Sequence, residues 1–199
     1  MTLKNNTVIT ELNISDNKLA EDEKDNTDMS GVIAIRDAIA TMEALAKLTF
    51  GGDGTYSNES TNWEQVPYKP ATLEVGMKEA DLSDKNLGIG GAIIVGAWIS
   101  HKDNGALVSA NLLNNKIGVE QAKNLATILK AHATLKSLCG NKGDETVLDM
   151  SGTKMGTDGA IMLVPEIAAN GALTSLNIGD NNIPVDKMNE IIALATYVS

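Results

Sequence analysis

Aromatic side chains are scarce in this chain: two Trp, three Tyr and one Phe make up 3% of 199 residues. A globular catalytic domain of that length ordinarily anchors its core on more of them, whereas thin repeating layers filled by aliphatic side chains do not need them. Arginine is scarcer still. Of the 16 basic residues only Arg36 is an arginine, so bidentate capture of phosphate or carboxylate has little to work with. Positive charge is short overall, 16 basic against 26 acidic residues for a formal charge of −10. That balance argues against nucleic-acid binding, which needs a basic surface to neutralise phosphates. The acidity serves solubility or draws in a basic protein partner. Cys139 stands alone, which rules out an intramolecular disulfide and a cysteine metal cluster, and His101 and His132 are the only histidines. The start, MTLKNNTVITELN, lacks the basic-then-apolar layout of a signal peptide. The most apolar stretch, GAIIVGAWIS, is too short for a membrane span. These absences predict a soluble, intracellular chain, cytoplasmic by default, and make the sequons at Asn5, Asn13 and Asn58 chance matches.

What is present is repetition. NGALVSANLLNNKIG (Asn104–Gly118) returns as NGALTSLNIGDNNIP (Asn170–Pro184), and a fixed internal period decides architecture before single residues do. The underlying pattern is L-x-x-L-x-L-x-x-N-x-L. Ile9, Leu12, Ile14, Asn17 and Leu19 fill it first. Leu45, Leu48 and Phe50 follow, with Asp53 in the Asn slot, then Met77, Ala80, Leu82 and Leu87, with Lys85 in that slot. Leu107, Ala110, Leu112, Asn115 and Ile117 make a full copy, as do Leu173, Leu176, Ile178, Asn181 and Ile183. Leu135 and Leu138 begin a copy that fades, and Leu148, Met150 and Met155 carry another.

The alternating L-x-L is a short strand with one buried face, and the Asn that follows can satisfy backbone groups no strand partner reaches. Between strands lie stretches with helical spacing. Val32, Ile35, Ile39 and Met42 form one stripe. Ile89, Ile93, Val95 and Trp98 lie on a mostly apolar helix, and Ala122, Leu125, Ile128 and Leu129 oppose Glu120, Lys123 and Lys130. Ile161, Val164 and Ile167 follow, then Met188, Ile191 and Leu194. Where a helix intervenes, strand positions lie about 28 to 36 residues apart, the length of a parallel crossover unit. Two places break this rhythm. Leu138 and Leu148 are too close for a helix between them, and residues 51–76 offer turn formers and two prolines instead of a helical stripe. A larger period of two strands, one unit regular and one irregular, is therefore expected. So is a single domain over residues 1–199 with an irregular loop at about 51–76.

The units LNISDNKL, LVSANLLNNKIG and LTSLNIGDNNI resemble leucine-rich repeats, and the long repeats with helices resemble the ribonuclease-inhibitor-like class. LKSLCGNKGDETVLDMSG is similar to a block in such proteins of algae and other protists. The resemblance implies an α/β horseshoe solenoid with a parallel concave sheet and convex helices, whose concave face binds other proteins. It implies no enzymatic activity.

Chemistry is hard to build from what remains. Cys139 has no histidine that the repeat places beside it, since His132 ends the preceding helix, where histidines complement the helix dipole. GGDG and GIGG lack the layout of phosphate loops, and DGTYSNES lacks the ligand spacing of a calcium loop. No catalytic, cofactor or metal residue is expected. Binding falls instead to the outward strand positions, Glu11, Asn13, Glu79, Asp81, Asn111, Asp149 and Asn177, a polar and mildly acidic face. It falls also to the aromatic loop residues Tyr56, Trp63 and Tyr68, which either form a hot-spot cluster or fold back over the sheet. The expected function is a non-catalytic scaffold binding another protein, a basic one if the acidic face selects it. Two alternatives stand beside it: a structural subunit of a ciliary or organellar assembly, and a GTPase-activating regulator, for which Arg36 is the one available arginine finger.

Overall fold

Parallel strands need a crossover, and in this chain strands pair in parallel wherever a helix supplies one. The computed structural model describes residues 6–17, 19, 28–51, 70–101, 104–185 and 189. In chain order these form β1 (Glu11–Asn13), α1 (Ser30–Ile39), β2 (Lys47–Phe50), β3 (Ala71–Glu74), β4 (Glu79–Asp81), α2 (Gly88–Ile99), β5 (Ser109–Asn111), α3 (Val119–Ala131), β6 (Val147–Asp149), α4 (Gly156–Ala169) and β7 (Ser175–Asn177). β1 and β2, joined through α1, pair Leu12 with Leu48. β4 and β5, joined through α2, pair Ala80 with Ala110, and β6 and β7, joined through α4, pair Leu148 with Leu176. After α3 the chain again comes alongside β5, where Ala110 N–H donates to Ser137 O and Leu112 N–H to Leu138 O.

The ladder stops at the two connections that have no helix among the described residues. The predicted single parallel sheet is therefore not formed; the strands make three sheets. β3 departs furthest from the prediction. It runs antiparallel to β2, with Leu48 opposite Leu73 and Phe50 opposite Ala71, so residues 71–74 of the predicted irregular loop are strand. Residues 52–69 lie outside the described residues, as do Met188, Ile191 and Leu194. Ile14, Leu82, Leu112 and Ile178 accordingly follow strands of three different sheets, yet the first three belong to one contiguous apolar core and Ile178, half-buried, packs against it.

The helix side keeps the order that the strand side loses: α1 packs on α2, α2 on α3, and α3 on α4. Val32, Ile39 and Met42 are buried as their spacing predicts, as are Trp98, Leu125, Leu129, Ile161 and Val164. Ile89 is the exception, 46% exposed at the start of α2. Close packing between modules shows at Gly159 in α4. A Cβ there would stand 2.5 Å from Met155 Cγ and 2.9 Å from Leu113 Cδ2, so the missing side chain lets α4 seat against the turn after β5.

Candidate functional site

Each strand ends in the same local device. Asn13 Oδ1 accepts the Ser15 N–H and hydroxyl at 3.0 and 2.7 Å. Asp81 does the same for Ser83 and Asp149 for Ser151, while Asn111 accepts from Leu113 N–H and Asn177 from Gly179 N–H. These are Asx turns, in which a side chain stands in for a backbone acceptor. They steer the chain into a left-handed residue, Asp16, Asp84, Asn114, Gly152 or Asp180, and a second follows two positions later at Asn86, Lys116, Lys154 and Asn182. Of the predicted binding positions, Asn13, Asp81, Asn111, Asp149 and Asn177 thus spend an oxygen on their own turn. The hydroxyl and then the backbone N–H of Ser83 hold the Asp81 carboxyl below its ordinary range, and Ser151 does so for Asp149, so both stay ionised. Glu11 and Glu79 are exposed one position before the turn residue's inward neighbour and take no part in it.

The Asn slot does the bracketing expected of it, and across units. Asn115, 1% exposed, donates to Leu82 O, Leu112 O and Leu113 O and accepts from Lys85 N–H and Leu87 N–H. Asn181 repeats this one module later, donating to Met150 O, Ile178 O and Gly179 O and accepting from Met155 N–H and the Thr153 hydroxyl. In both modules the second strand's Asn therefore stitches the first strand's turn, which explains why Lys85 and Thr153 can occupy the slot there. Among the described residues, Asn17 bonds within its own turn, to Ile14 O and Ser15 O.

The strand face produced by these turns is not continuous. Glu11 and Asn13 stand on β1, Glu79, Asp81 and Asn111 on the β4–β5 pair, and Asp149 and Asn177 on the β6–β7 pair. Between the last two pairs lies a feature that sequence reasoning missed. Glu166 of α4, 5% exposed, sends its carboxylate into the helixless connection. There Oε1 accepts from Leu138 N–H (2.7 Å) and Cys139 N–H (3.1 Å), and Oε2 from the Ser137 hydroxyl (2.7 Å) and Asn141 Nδ2 (2.9 Å). Burial pushes the Glu166 carboxyl up, and the four donors only partly offset it. One signal was available, a charged residue at position 166 inside an otherwise apolar run. Burial and then the Glu166 carboxylate also push the Cys139 thiol well above its ordinary range, the reverse of a nucleophile. His132 Nδ1 accepts from Leu135 N–H at the end of α3, and His101 Nε2 lies 3.1 Å from Met42 O beside the Trp98 ring.

On the helix side a trough of about 680 Å³ runs over α2 between α1 and α3. Arg36 lies on its α1 rim with Nε and Nη2 both donating to Asp37 Oδ1. Tyr56, Trp63 and Tyr68 lie outside the described residues. Among the described residues no group of His, Cys, Asp and Glu is placed to hold a metal ion, and no helix is long and apolar enough to cross a membrane.

The family model described as Leucine Rich repeat matches residues 5–21, which contain β1 and its Asx turn, and residues 146–164, which contain β6 and most of α4. The chain is thus similar at these two places to leucine-rich repeats, units that commonly mediate protein–protein interaction and are typically non-catalytic. No curated protein matches the chain.

Proposed function

We propose that this chain is a non-catalytic scaffold that binds another protein through its strand face. The observation that carries the reading is the recurring Asx turn. It starts the turn at five strand ends from a residue two positions away, and Asn115 and Asn181 brace two of those turns from the neighbouring strand, so the outward side chains are presented with little ordering left for binding to cost. Glu11 and Glu79, with the ionised Asp81 and Asp149, give that face its negative sign, which favours a basic partner and sets orientation and on-rate more than affinity. Asn177 spends its amide on the Asp149 carboxylate across the β6–β7 pair, so polar donors for the partner fall to Asn13 and Asn111, and the aromatic loop with Tyr56, Trp63 and Tyr68 supplies the anchors. The repeat matches and the in-order stacking of helices support a curved solenoid of the ribonuclease-inhibitor-like class, its strand side interrupted at the helixless connections. The similarity to algal and protist proteins rests on Leu135–Gly152 alone.

Capture of partners from native extract by the wild-type chain and by Glu11→Lys, Glu79→Lys, Trp63→Ala and Tyr68→Ala variants tests this. A partner lost on charge reversal and at raised salt is the expected outcome. A partner set identical across all four variants would refute the strand-face reading. A second reading, a permanently packed structural subunit of a ciliary or organellar assembly, is favoured by apolar exposure on the helix side. Ile33, Ile89 and Val119, at 40%, 46% and 38% exposed, each sit in the first turn of α1, α2 or α3. Nothing comparable favours GTPase activation, since the Arg36 guanidinium is tied to Asp37 on the helix side.

A further inference from the structure

The trough over α2 has a shape and a charge that the strand-face reading does not use. Its floor is a helical ladder, Ala92–Gly96–Ser100 beside Ile93–Ala97–His101, about three turns or roughly 14 Å long. Small side chains there leave α2 recessed between α1 and α3. Each of the three helices lies between two strand segments, α1 between β1 and β2, α2 between β4 and β5, and α3 between β5 and the stretch that pairs with it at Ser137. Ile93 and Ala97 are half-buried, and Ile89, one turn before Ile93 on the same stripe, extends the apolar floor to open surface. The rims are polar and net negative. On α1 the Arg36 charge is cancelled by Asp37 at 2.7 Å. On α3 Gln121 and Asn124 bond each other, while Glu120 is exposed and has no hydrogen-bond or ion-pair partner among the described residues.

We infer that this trough docks an amphipathic α-helix of a partner protein, with an apolar stripe spaced i, i+4 and basic residues along its flank. A trough along α2 with a helix on either side accepts a further helix laid along it, which would meet the Ile89–Ile93–Ala97 stripe with its own i, i+4 positions. Ala97, half-buried on the floor, permits close approach of the partner backbone, while buried Gly96 makes room for Ile128 and Leu125 of α3. The unpaired Glu120 selects a Lys or Arg opposite it, in a chain already carrying a formal charge of −10. The inference shares with the strand-face reading only the premise of a protein partner; the two faces are separate and fail separately.

The test uses the full chain and two synthetic helical peptides of about 18 residues. Both carry the same Leu/Ala stripe, one flanked by Lys and the other by Glu. Binding is followed by fluorescence anisotropy at low and raised salt. The Lys-flanked peptide is expected to bind saturably. Ala97→Arg, which fills the floor on an open helix position, should weaken it at least roughly tenfold. Glu120→Lys, fully on the surface, should weaken it about threefold with a shallower salt dependence. The strand-face variant Glu79→Lys should leave it unchanged. Melting curves of each variant separate loss of binding from loss of fold; Glu120→Lys decides the matter where Ala97→Arg does not fold. Equal binding of the Glu-flanked peptide, undiminished binding to folded Ala97→Arg or Glu120→Lys, or no saturable binding would each overturn the inference. So would self-association of the chain that Glu120→Lys abolishes, because the occupant would then be a second copy.

Discussion

Replacing Asn115 by alanine removes five hydrogen bonds at one buried point and leaves the Lys85 and Leu87 N–H groups and the Leu82 carbonyl of the preceding strand's turn without that partner. Two further bonds, to Leu112 O and Leu113 O, close the residue's own turn. A stranded buried polar group costs about 1–3 kcal/mol. Water entering the vacated side-chain space recovers part of that, so the net loss should be about 3–4 kcal/mol. For a chain of this length that is a fall in Tm of roughly 6–15 °C. Asn17→Ala provides the internal control. It removes the same residue from the same slot, but Asn17 is exposed and its bonds among the described residues go to Ile14 O and Ser15 O, which water can serve, so its cost should stay near or below about 1 kcal/mol. Urea unfolding followed by the fluorescence of buried Trp98 gives both numbers, and hydrogen exchange should show Lys85 and Leu87 amides losing protection in Asn115→Ala alone. If the two variants lose equal stability, the cross-unit bracket is not what fixes the turn after β4, and the reasoning is wrong.

Glu166→Gln should cost about 1–3 kcal/mol, since an amide NH₂ would face the Asn141 donor, and Glu166→Ala more, about 3–5 kcal/mol, by stranding all four donors; denaturant midpoints rank them. Because burial raises the folded Glu166 carboxyl, the folded state holds its proton more tightly than the unfolded one. The group's stabilising contribution is then full below the unfolded value of about 4.3 and is lost as pH rises through the folded one. Glu166→Gln should flatten that segment of the stability–pH profile, and an unaltered profile would contradict the assignment. Gly159→Ala should destabilise by about 1–3 kcal/mol through overpacking against Met155 and Leu113, measured by thermal melting; a neutral result would mean that the α4 seat is loose. Cys139 should resist thiol-reactive probes at neutral pH until denaturant is added, given its burial and raised thiol, and labelling at the rate of a free thiol under native conditions would refute its placement.

Much of the fold was legible because its determinants are local or strictly periodic. The L-x-L pairs became the short strands β1, β2, β4, β5, β6 and β7, and the stripes of Val32, Leu125 and Ile161 became the buried faces of α1, α3 and α4. Both rhythm breaks, after Phe50 and after Leu138, fall where the parallel ladder stops. The binding positions were legible only as outward-facing. That Asn13, Asp81 and Asp149 fold back onto a serine two residues ahead could have been read from the recurring Asn/Asp-x-Ser, and was not, because the repeat pattern directs attention to its apolar letters.

By itself the sequence determined the repeating unit: which residues face inward, where each strand ends and where a helix must cross, all set by contacts within a few positions. Only the tertiary structure decided how units meet. Whether β3 lies antiparallel on β2, whether Glu166 is solvated or buried in the 137–141 connection, and whether Ile89 is covered all depend on neighbours tens of residues away. No periodicity encodes such contacts, because their energy exists only once separate units have packed.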